Sequence, residues 1–295
     1  MKRIITSLVC CLIMGTVFAQ YNPLQSQYVF NRLVINPAYA GADGFLSTTA
    51  SYRRQWLGFE GAPETFAFTA HTPLRNKRYN VGIIASQDNI AVLHRTHVGL
   101  IYSYRIVAGK ISFSAGFQPG VNFVRNSWGD VQTTVQGDAA YQSAETRIDF
   151  NMGYGLYMNS KRFFIGVSSA ANFTTPSTGA QPVILGNTGY TFGDPKKAAV
   201  TVSVLGRYMI KNFYQADVNV IATLRDRISF GASYRHNDAV VGILQLKIND
   251  QLYIGYSYDY TLSNLSTYSS GTHELLLRYD FYFKVNSKSP RLPSK

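Results

Sequence analysis

The chain has 295 residues, of which 15% are charged and 14% aromatic, with 21 Tyr and 18 Phe. Soluble domains carry roughly 25% charged residues, so the composition argues against an ordinary soluble protein. The mean hydropathy of −0.07 excludes a bundle of apolar membrane-spanning helices. It does not exclude a membrane β-barrel, whose outer face is apolar and whose interior is polar. The net charge of +12 is compatible with nucleic acid, anionic lipid or an acidic partner.

Residues 1–19 have the pattern of a signal peptide. Two basic residues precede an apolar run at 4–17, which is too short to span a bilayer as a helix. We expect cleavage before Gln20 and therefore an exported protein with no nucleic-acid partner. Both cysteines lie inside the apolar run, so the mature chain is expected to have no disulfide and no thiolate metal site. A lipoprotein signal is the alternative, but Val9 stands where a small residue would be needed.

Residues 20–43 are predicted to be an irregular segment before the barrel, in the periplasm or in the lumen. No window after residue 19 shows sustained helical periodicity, whereas the apolar period from Gly44 onward is two, which indicates half-buried strands. We predict a transmembrane antiparallel up-and-down β-barrel over 44–284, followed by a basic periplasmic tail at 285–295. Fourteen strands fit the pattern, with 12 or 16 as alternatives. They are predicted at about 45–56, 64–73, 79–87, 96–105, 111–123, 147–158, 162–172, 183–192, 198–209, 214–224, 228–235, 239–248, 252–260 and 274–283.

The two faces of these strands favour a barrel over a soluble β-sandwich. In the predicted strand at 214–224, Val218 and Val220 alternate with Asp217 and Asn219. The interior of a β-sandwich is lined by apolar side chains. Here one face of the strands keeps charged residues at mid-strand, and the opposite face is uniformly apolar. Pro119 inside the fifth strand predicts a bulge or kink, because proline cannot donate to the ladder.

The connections divide into a short set and a long set. Outer-membrane barrels have short periplasmic turns and longer outer loops. If strand 1 runs outward, the three longest connections, 126–145, 173–182 and 261–271, all lie outside, and a further outer loop is expected at 88–95. Both termini are then expected in the periplasm, with strand 1 paired to strand 14.

Basic residues concentrate at the predicted periplasmic turns, which we treat as a candidate rim. Two readings stay open: contact with anionic lipid headgroups, and docking of an acidic periplasmic partner. The rim residues are Arg75, Lys77, Arg78, Lys110, Lys161, Arg162, Lys196, Lys197, Arg225 and Arg227, and the predicted tail adds Lys284, Lys288, Arg291 and Lys295.

Charges of both signs are predicted to face the lumen. Mixed charges favour a pairing network that fills the barrel, whereas a selective pore more often shows one sign. The predicted network comprises Arg53, Asp149, Asp217, Arg235, Asp259, Glu274, Arg278 and Asp280. The five histidines are scattered, and no Ser, His and Asp spacing marks a hydrolase. We therefore predict no catalytic, cofactor or metal site, and a protein that is not an enzyme.

Several stretches resemble the signatures of the PorP/SprF family, the outer-membrane proteins of the type IX secretion system of Bacteroidota. The amino-terminal ones are 27–31 (QYVFN), 36–41 (NPAYAG) and 52–63 (YRRQWLGFEGAP). The later ones are 71–74 (HTPL), 232–235 (ASYR), 254–260 (IGYSYDY) and 270–275 (SGTHEL). The likeness extends over essentially the whole mature chain.

The resemblance implies a non-enzymatic barrel that supports secretion or surface anchoring of type IX cargo. Expected partners are outer-membrane lipid, a cargo carboxy-terminal domain or adhesin, and periplasmic components of the secretion system. One branch of the family is linked to gliding motility. A passive outer-membrane channel for small solutes is the alternative function.

Overall fold

Fourteen antiparallel strands close on themselves in the computed structural model, which describes residues 25–75, 77–127, 144–170, 183–209, 213–267 and 269–282. Each strand pairs with its neighbours in sequence, and the last pairs with the first. Closure excludes the sandwich, and the strand count confirms 14 rather than 12 or 16. None of the helical segments in the described ranges has the length and apolarity to cross a membrane.

The strands occupy, in chain order, β1 Leu46–Arg54, β2 Glu64–Pro73, β3 Tyr79–Ile90, β4 Leu93–Ala108, β5 Ile111–Ser127, β6 Ala144–Asn159, β7 Phe163–Ser169, β8 Val183–Asp194, β9 Ala198–Met209, β10 Phe213–Leu224, β11 Ile228–Arg235, β12 Ala239–Lys247, β13 Leu252–Thr261 and β14 Thr272–Phe281. Transmembrane strands need about 9–11 residues, so most of these strands are long enough to span a bilayer.

The alternation of the sequence becomes an apolar outside and a polar inside. On β10, Val218 and Val220 are 43% and 46% exposed, whereas Asp217 and Asn219 are 2% and 0% exposed. Because consecutive side chains of a strand point to opposite faces, the orientation of one residue fixes that of every other residue in the same strand. The apolar outer face therefore lies where lipid would cover it.

Closure is made by β1 and β14, as predicted. Their register runs from Leu46 opposite Phe281 to Arg54 opposite His273. Arg53 thus lies directly opposite Glu274, so two inward charges of opposite sign meet across the closing seam.

The structure differs from the sequence predictions at two local features. The outer loop expected at 88–95 is a two-residue turn between β3 and β4, with Ala91 at a φ of 48°. Pro119 inserts no bulge, because the β4–β5 register is the same on both sides of it. In the hydrogen-bonded ladder between β4 and β5, only Gln118 and Pro119 of this stretch lack a partner on β4. This is expected because proline has no N–H to donate.

The barrel has two distinct ends. Connections after the even-numbered strands are short, at 74–78, 109–110, 160–162, 195–197, 225–227 and 248–251, and define what we term the short-turn mouth. The connections after the odd-numbered strands define the long-loop mouth, and they include 128–143, 170–182 and 262–271. The three longest connections thus lie at one end, as strand parity predicted.

Residues 25–43, which we term the luminal strap, lie inside the barrel as three short 3-10 turns at Ser26–Val29, Arg32–Val34 and Pro37–Tyr39. The third turn begins at Asn36, whose side-chain oxygen accepts a hydrogen bond from the Ala38 N–H. Leu33 and Ile35 are 0% and 1% exposed and belong to a core shared with inward residues of the wall. The strap and inward apolar side chains of the wall therefore form an apolar core inside the barrel.

Candidate functional site

A cluster of buried charges holds the amino-terminal end of the luminal strap at the long-loop mouth. The Arg53 guanidinium lies 2.7 Å from a carboxylate oxygen of Asp259 and 3.0 Å from one of Glu274. Arg235 lies 3.1 Å from Asp217 and 3.4 Å from Asp259. We term this cluster of Arg53, Asp217, Arg235, Asp259 and Glu274 the long-loop clamp, and each of its guanidinium groups pairs with at least two carboxylates.

Ser26 is the residue of the strap that the long-loop clamp binds. Its N–H donates to Glu274 Oε2 at 2.7 Å, and its hydroxyl donates to Asp259 Oδ2 at 2.7 Å. The same hydroxyl oxygen accepts from Arg53 Nη1 at 3.0 Å and from Arg235 Nη2 at 3.2 Å. Such charge-assisted hydrogen bonds are about twice as strong as neutral ones, so the clamp fixes the strap in place.

The middle of the strap is held by both polar and apolar contacts. The Tyr28 hydroxyl accepts from Asn219 Nδ2 at 2.8 Å, and Asn31 Nδ2 donates to Thr69 Oγ1 at 3.0 Å. The Arg32 guanidinium lies 3.9 Å from the centre of the Phe164 ring, within the range of a cation–π interaction. Strands on different sides of the barrel therefore contact the same short segment.

A second cluster binds the strap at the short-turn mouth. Asp43 Oδ2 lies 3.0 Å from Arg278, and Asp43 Oδ1 accepts from the Tyr39 hydroxyl at 2.7 Å. The Gly41 N–H donates to His71 Nδ1 at 2.9 Å. Arg278 also pairs with Asp280 at 2.9 Å. We term this cluster the short-turn clamp.

The eight luminal charges predicted from the sequence thus fall into three places. Five form the long-loop clamp, and Arg278 and Asp280 belong to the short-turn clamp. Asp149 is separate, 3.4 Å from Arg147 on the same strand. Strand alternation predicts which residues face inward, but it does not predict which of them meet across the lumen.

Sequence reasoning missed the partners that the strap supplies. Ser26 and Asp43 lie in a segment without periodicity, so no pattern indicated that they would bind strand charges. Asp88, expected in an outer loop, instead pairs with Arg95 at 2.8 Å in the β3–β4 hairpin. A usable signal was the pair of inward glycines on neighbouring strands, Gly116 and Gly155.

These two glycines leave room for the strap. A Cβ atom at Gly116 would lie 2.6 Å from the Ala38 nitrogen, closer than real Cβ atoms come. At Gly155 a Cβ would overlap the side-chain oxygen of Asn36. The wall and the strap are therefore packed against each other directly.

The ten predicted rim residues all lie at or beside the turns of the short-turn mouth, and all are exposed. The two that follow β10 flank Asp226, which pairs with Lys247 at 3.0 Å. The four basic residues of the predicted tail lie outside the described residues. The short-turn mouth is therefore ringed by cations from five of its turns.

In the described ranges, no group of three or more His, Cys, Asp or Glu side chains is arranged to hold a metal ion. The carboxylates of both clamps already bind arginine or strap groups. The geometry suits a fixed internal support more than a site for exchange of ligands.

Comparison with known proteins identifies the family. The model of the type IX secretion system membrane protein PorP/SprF matches residues 17–279. The chain belongs to the PorP/SprF family. The resemblance in the sequence motifs is thereby confirmed, and the barrel of this PorP/SprF member is an outer-membrane barrel. A search of curated proteins gave no match.

Solved outer-membrane barrels share the fold of this PorP/SprF chain. The CymD monoaromatic hydrocarbon channel has a TM-score of 0.54 at 11% identity, covering 88% of this chain and 94% of its own. A deltaS2S3 mutant of the TodX monoaromatic hydrocarbon channel has a TM-score of 0.51 at 9% identity, covering 86% and 94%. Omp33 of Acinetobacter baumannii has a TM-score of 0.49 at 12% identity, covering 80% and 98%. At these identities the likeness concerns the fold alone.

Proposed function

We propose that this PorP/SprF barrel is a non-enzymatic scaffold that supports secretion or surface anchoring of type IX cargo such as large adhesins, with a link to gliding motility in the motility branch. The observation that carries the proposal is the luminal strap, which is clamped at both mouths and buried between them. A barrel whose interior is occupied by its own chain acts through its surfaces. The partners in this proposal are a cargo carboxy-terminal domain or adhesin and periplasmic components of the secretion system.

Deletion of the gene followed by surface proteomics tests this role. We expect one or a few secreted proteins to disappear from the cell surface and to return on complementation. An unchanged surface proteome would refute the proposal. Complementation with an unrelated outer-membrane barrel is the control for general envelope damage.

A passive solute channel is the competing function. Two of the similar solved structures, with TM-scores of 0.54 and 0.51, are named as hydrocarbon channels, but at 9–11% identity they share only the fold. The strap argues against a continuous aqueous path. Planar-bilayer recording separates the two functions, since a large steady conductance in the purified wild-type protein would favour the channel.

We further propose that the short-turn mouth and its basic rim face the periplasm, where anionic headgroups of the inner leaflet meet the cations. Docking of an acidic periplasmic component is the alternative. The supporting observation is that all ten predicted rim residues are exposed and lie at or beside the turns of the short-turn mouth.

Charge reversal at two distant turns distinguishes lipid from a docked protein. One variant changes Arg75, Lys77 and Arg78 to Glu, and the matched variant changes Lys196 and Lys197, six strands away around the barrel. Lipid contact predicts a similar small effect of both variants on binding to anionic vesicles. Docking predicts that one variant alone loses a co-purifying periplasmic protein.

A further inference from the structure

The outward face of β4–β7 has a depression near the short-turn mouth. Its volume is about 430 Å³, within the roughly 300–1,000 Å³ of small-molecule sites. The short side chain of Ala115 on β5 leaves a gap between Tyr104 and Leu156, its partners on β4 and β6. Phe113 and Ile165 border the depression on the side of the turns, and both are exposed. The walls of the depression are therefore apolar and face the membrane.

Three cations of the basic rim lie beyond the turn-side border of this depression. Lys110 is three positions before Phe113. In the next turn around this mouth, Arg162 is three positions before Ile165, and Lys161 precedes it. Antiparallel strands rise about 3.4 Å per residue, so these cations are about 10 Å along the chain from the border. All three side chains are exposed, so a charged headgroup at the membrane surface can reach them.

The strands around the depression supply no carboxylate at this end. Asp and Glu are absent from 98–127 and from 150–170, which contain all of its lining residues from β4 to β7. On the next strand, β8, Asp194 accepts a hydrogen bond from the Lys196 N–H at 3.0 Å. The three cations therefore suit an anion that comes from outside the chain.

We propose that this depression binds one anionic phospholipid, with an acyl chain in the depression and the phosphate group beside Lys110, Lys161 and Arg162. A lipid fits both parts of the site, because the depression lies on the membrane face and the cations lie at its edge, where anionic headgroups attract Lys and Arg. A soluble partner would reach only the cations. The site rests on the lipid contact proposed for the rim, and its assignment to the inner leaflet rests on the proposed orientation.

Native mass spectrometry of the purified full-length barrel in a neutral detergent tests the site. The probes are phosphatidylglycerol, which is anionic, and phosphatidylcholine with the same acyl chains, which has no net charge. We expect the wild-type protein to bind one phosphatidylglycerol more tightly than further copies of either lipid. Lys161→Gln with Arg162→Gln should weaken this binding about 25-fold, at about fivefold for each cation, and should leave phosphatidylcholine binding unchanged.

The matched control removes two cations from the 225–227 turn of the same mouth. Arg225 and Arg227 flank Asp226, whose carboxylate lies 3.0 Å from Lys247. Arg225→Gln with Arg227→Gln should therefore leave the affinity for the first phosphatidylglycerol unchanged. Equal losses in the two double variants would overturn the inference, because they would indicate a general effect of surface charge.

A second pair of variants tests the depression itself. Ala115→Phe places a ring where the acyl chain would lie and should weaken binding of both lipids. Ala232→Phe is the control, because Ala232 also faces outward in a depression, on β11 across the barrel. It should leave binding unchanged. The gel mobility of unheated protein shows whether each barrel is folded, and the charge variants decide the matter if Ala115→Phe does not fold.

Two further results would overturn the inference. One is an unchanged affinity for phosphatidylglycerol in the Lys161→Gln, Arg162→Gln variant. The other is loss of a co-purifying acidic periplasmic protein in that variant without loss of lipid affinity, which would favour a docked protein. Lipid binding by the purified barrel does not depend on cargo, so failure of the lipid site is distinguishable from failure of the secretion role, which the surface proteome reports.

Discussion

Replacing Arg53 by Met tests whether the long-loop clamp holds the strap. Arg53 is 1% exposed and binds Asp259 and Glu274, at 2.7 and 3.0 Å. Removing one partner of a buried ion pair typically costs about 3–5 kcal/mol, because a charge is left without compensation. Asp259 keeps Arg235, and Glu274 keeps the N–H of Ser26. We therefore expect a loss near the lower end, about 3 kcal/mol in the free energy of unfolding.

The adjacent residue supplies a matched control. Arg54 points outward and pairs with Glu64 at 3.2 Å, with side chains 56% and 38% exposed. Exposed pairs contribute about 0.2–1 kcal/mol, so Arg54→Met should change stability little. Reversible urea unfolding in detergent micelles, followed by tryptophan fluorescence, measures both variants. Equal, small losses for Arg53→Met and Arg54→Met would refute the idea that the clamp stabilises the barrel.

A double-mutant cycle shows whether the effect arises at the closing seam. Glu274→Gln removes the carboxylate that the Arg53→Met variant would leave buried without its arginine partner. The two changes together should cost less than the sum of the separate losses, by about 1–3 kcal/mol, as expected for residues in one network. Strict additivity would mean that Arg53 and Glu274 act independently, against their 3.0 Å contact.

Two further predictions concern the wall and the other mouth. Gly116→Val should destabilise the barrel by about 1–3 kcal/mol, because the new side chain would be overpacked against Ala38. The control is Gly186→Ala, where an added Cβ meets nothing within 4 Å and the urea midpoint should stay unchanged. Equal midpoints for the two variants would contradict direct packing of the strap on the wall. Asp43→Ala removes a half-buried acceptor of Arg278 and should cost about 1–3 kcal/mol. A loss that Asp43→Asn reproduces in full would show that the charge matters more than the hydrogen bonds.

The wall of the barrel was predictable because strands have a simple period. The outward Val218 and inward Asp217 follow from alternation alone, and strand parity sorted the connections between the two mouths. Strand ends were less predictable. Hydrogen bonding extends β3 and β4 across polar residues such as Asp88 and His94, which the apolar pattern had assigned to a loop.

The contents of the lumen were not predictable in the same way. Ser26 contacts Glu274 across 248 positions of sequence, and no local pattern encodes a contact of that separation. The strap is held by individual hydrogen bonds and by gaps in the wall, of which Gly116 is one. The mixed sign of the inward charges and the irregular segment at 20–43 suggested that something would fill the barrel, but neither indicated the contacts.

The two clamps together explain how charged residues are accommodated in the lumen beside its apolar core. Burying isolated charges is unfavourable, but both clamps pair each arginine with carboxylates and add hydrogen bonds from the strap. Arg53 on β1 and Glu274 on β14 also pair across the closing seam, where the first strand of the chain meets the last. The strap therefore links closure of the barrel to occupation of its lumen. An empty barrel would leave the carboxylates of Asp259 and Glu274 without the Ser26 donors, so the closed, strap-filled form is the one that this sequence favours.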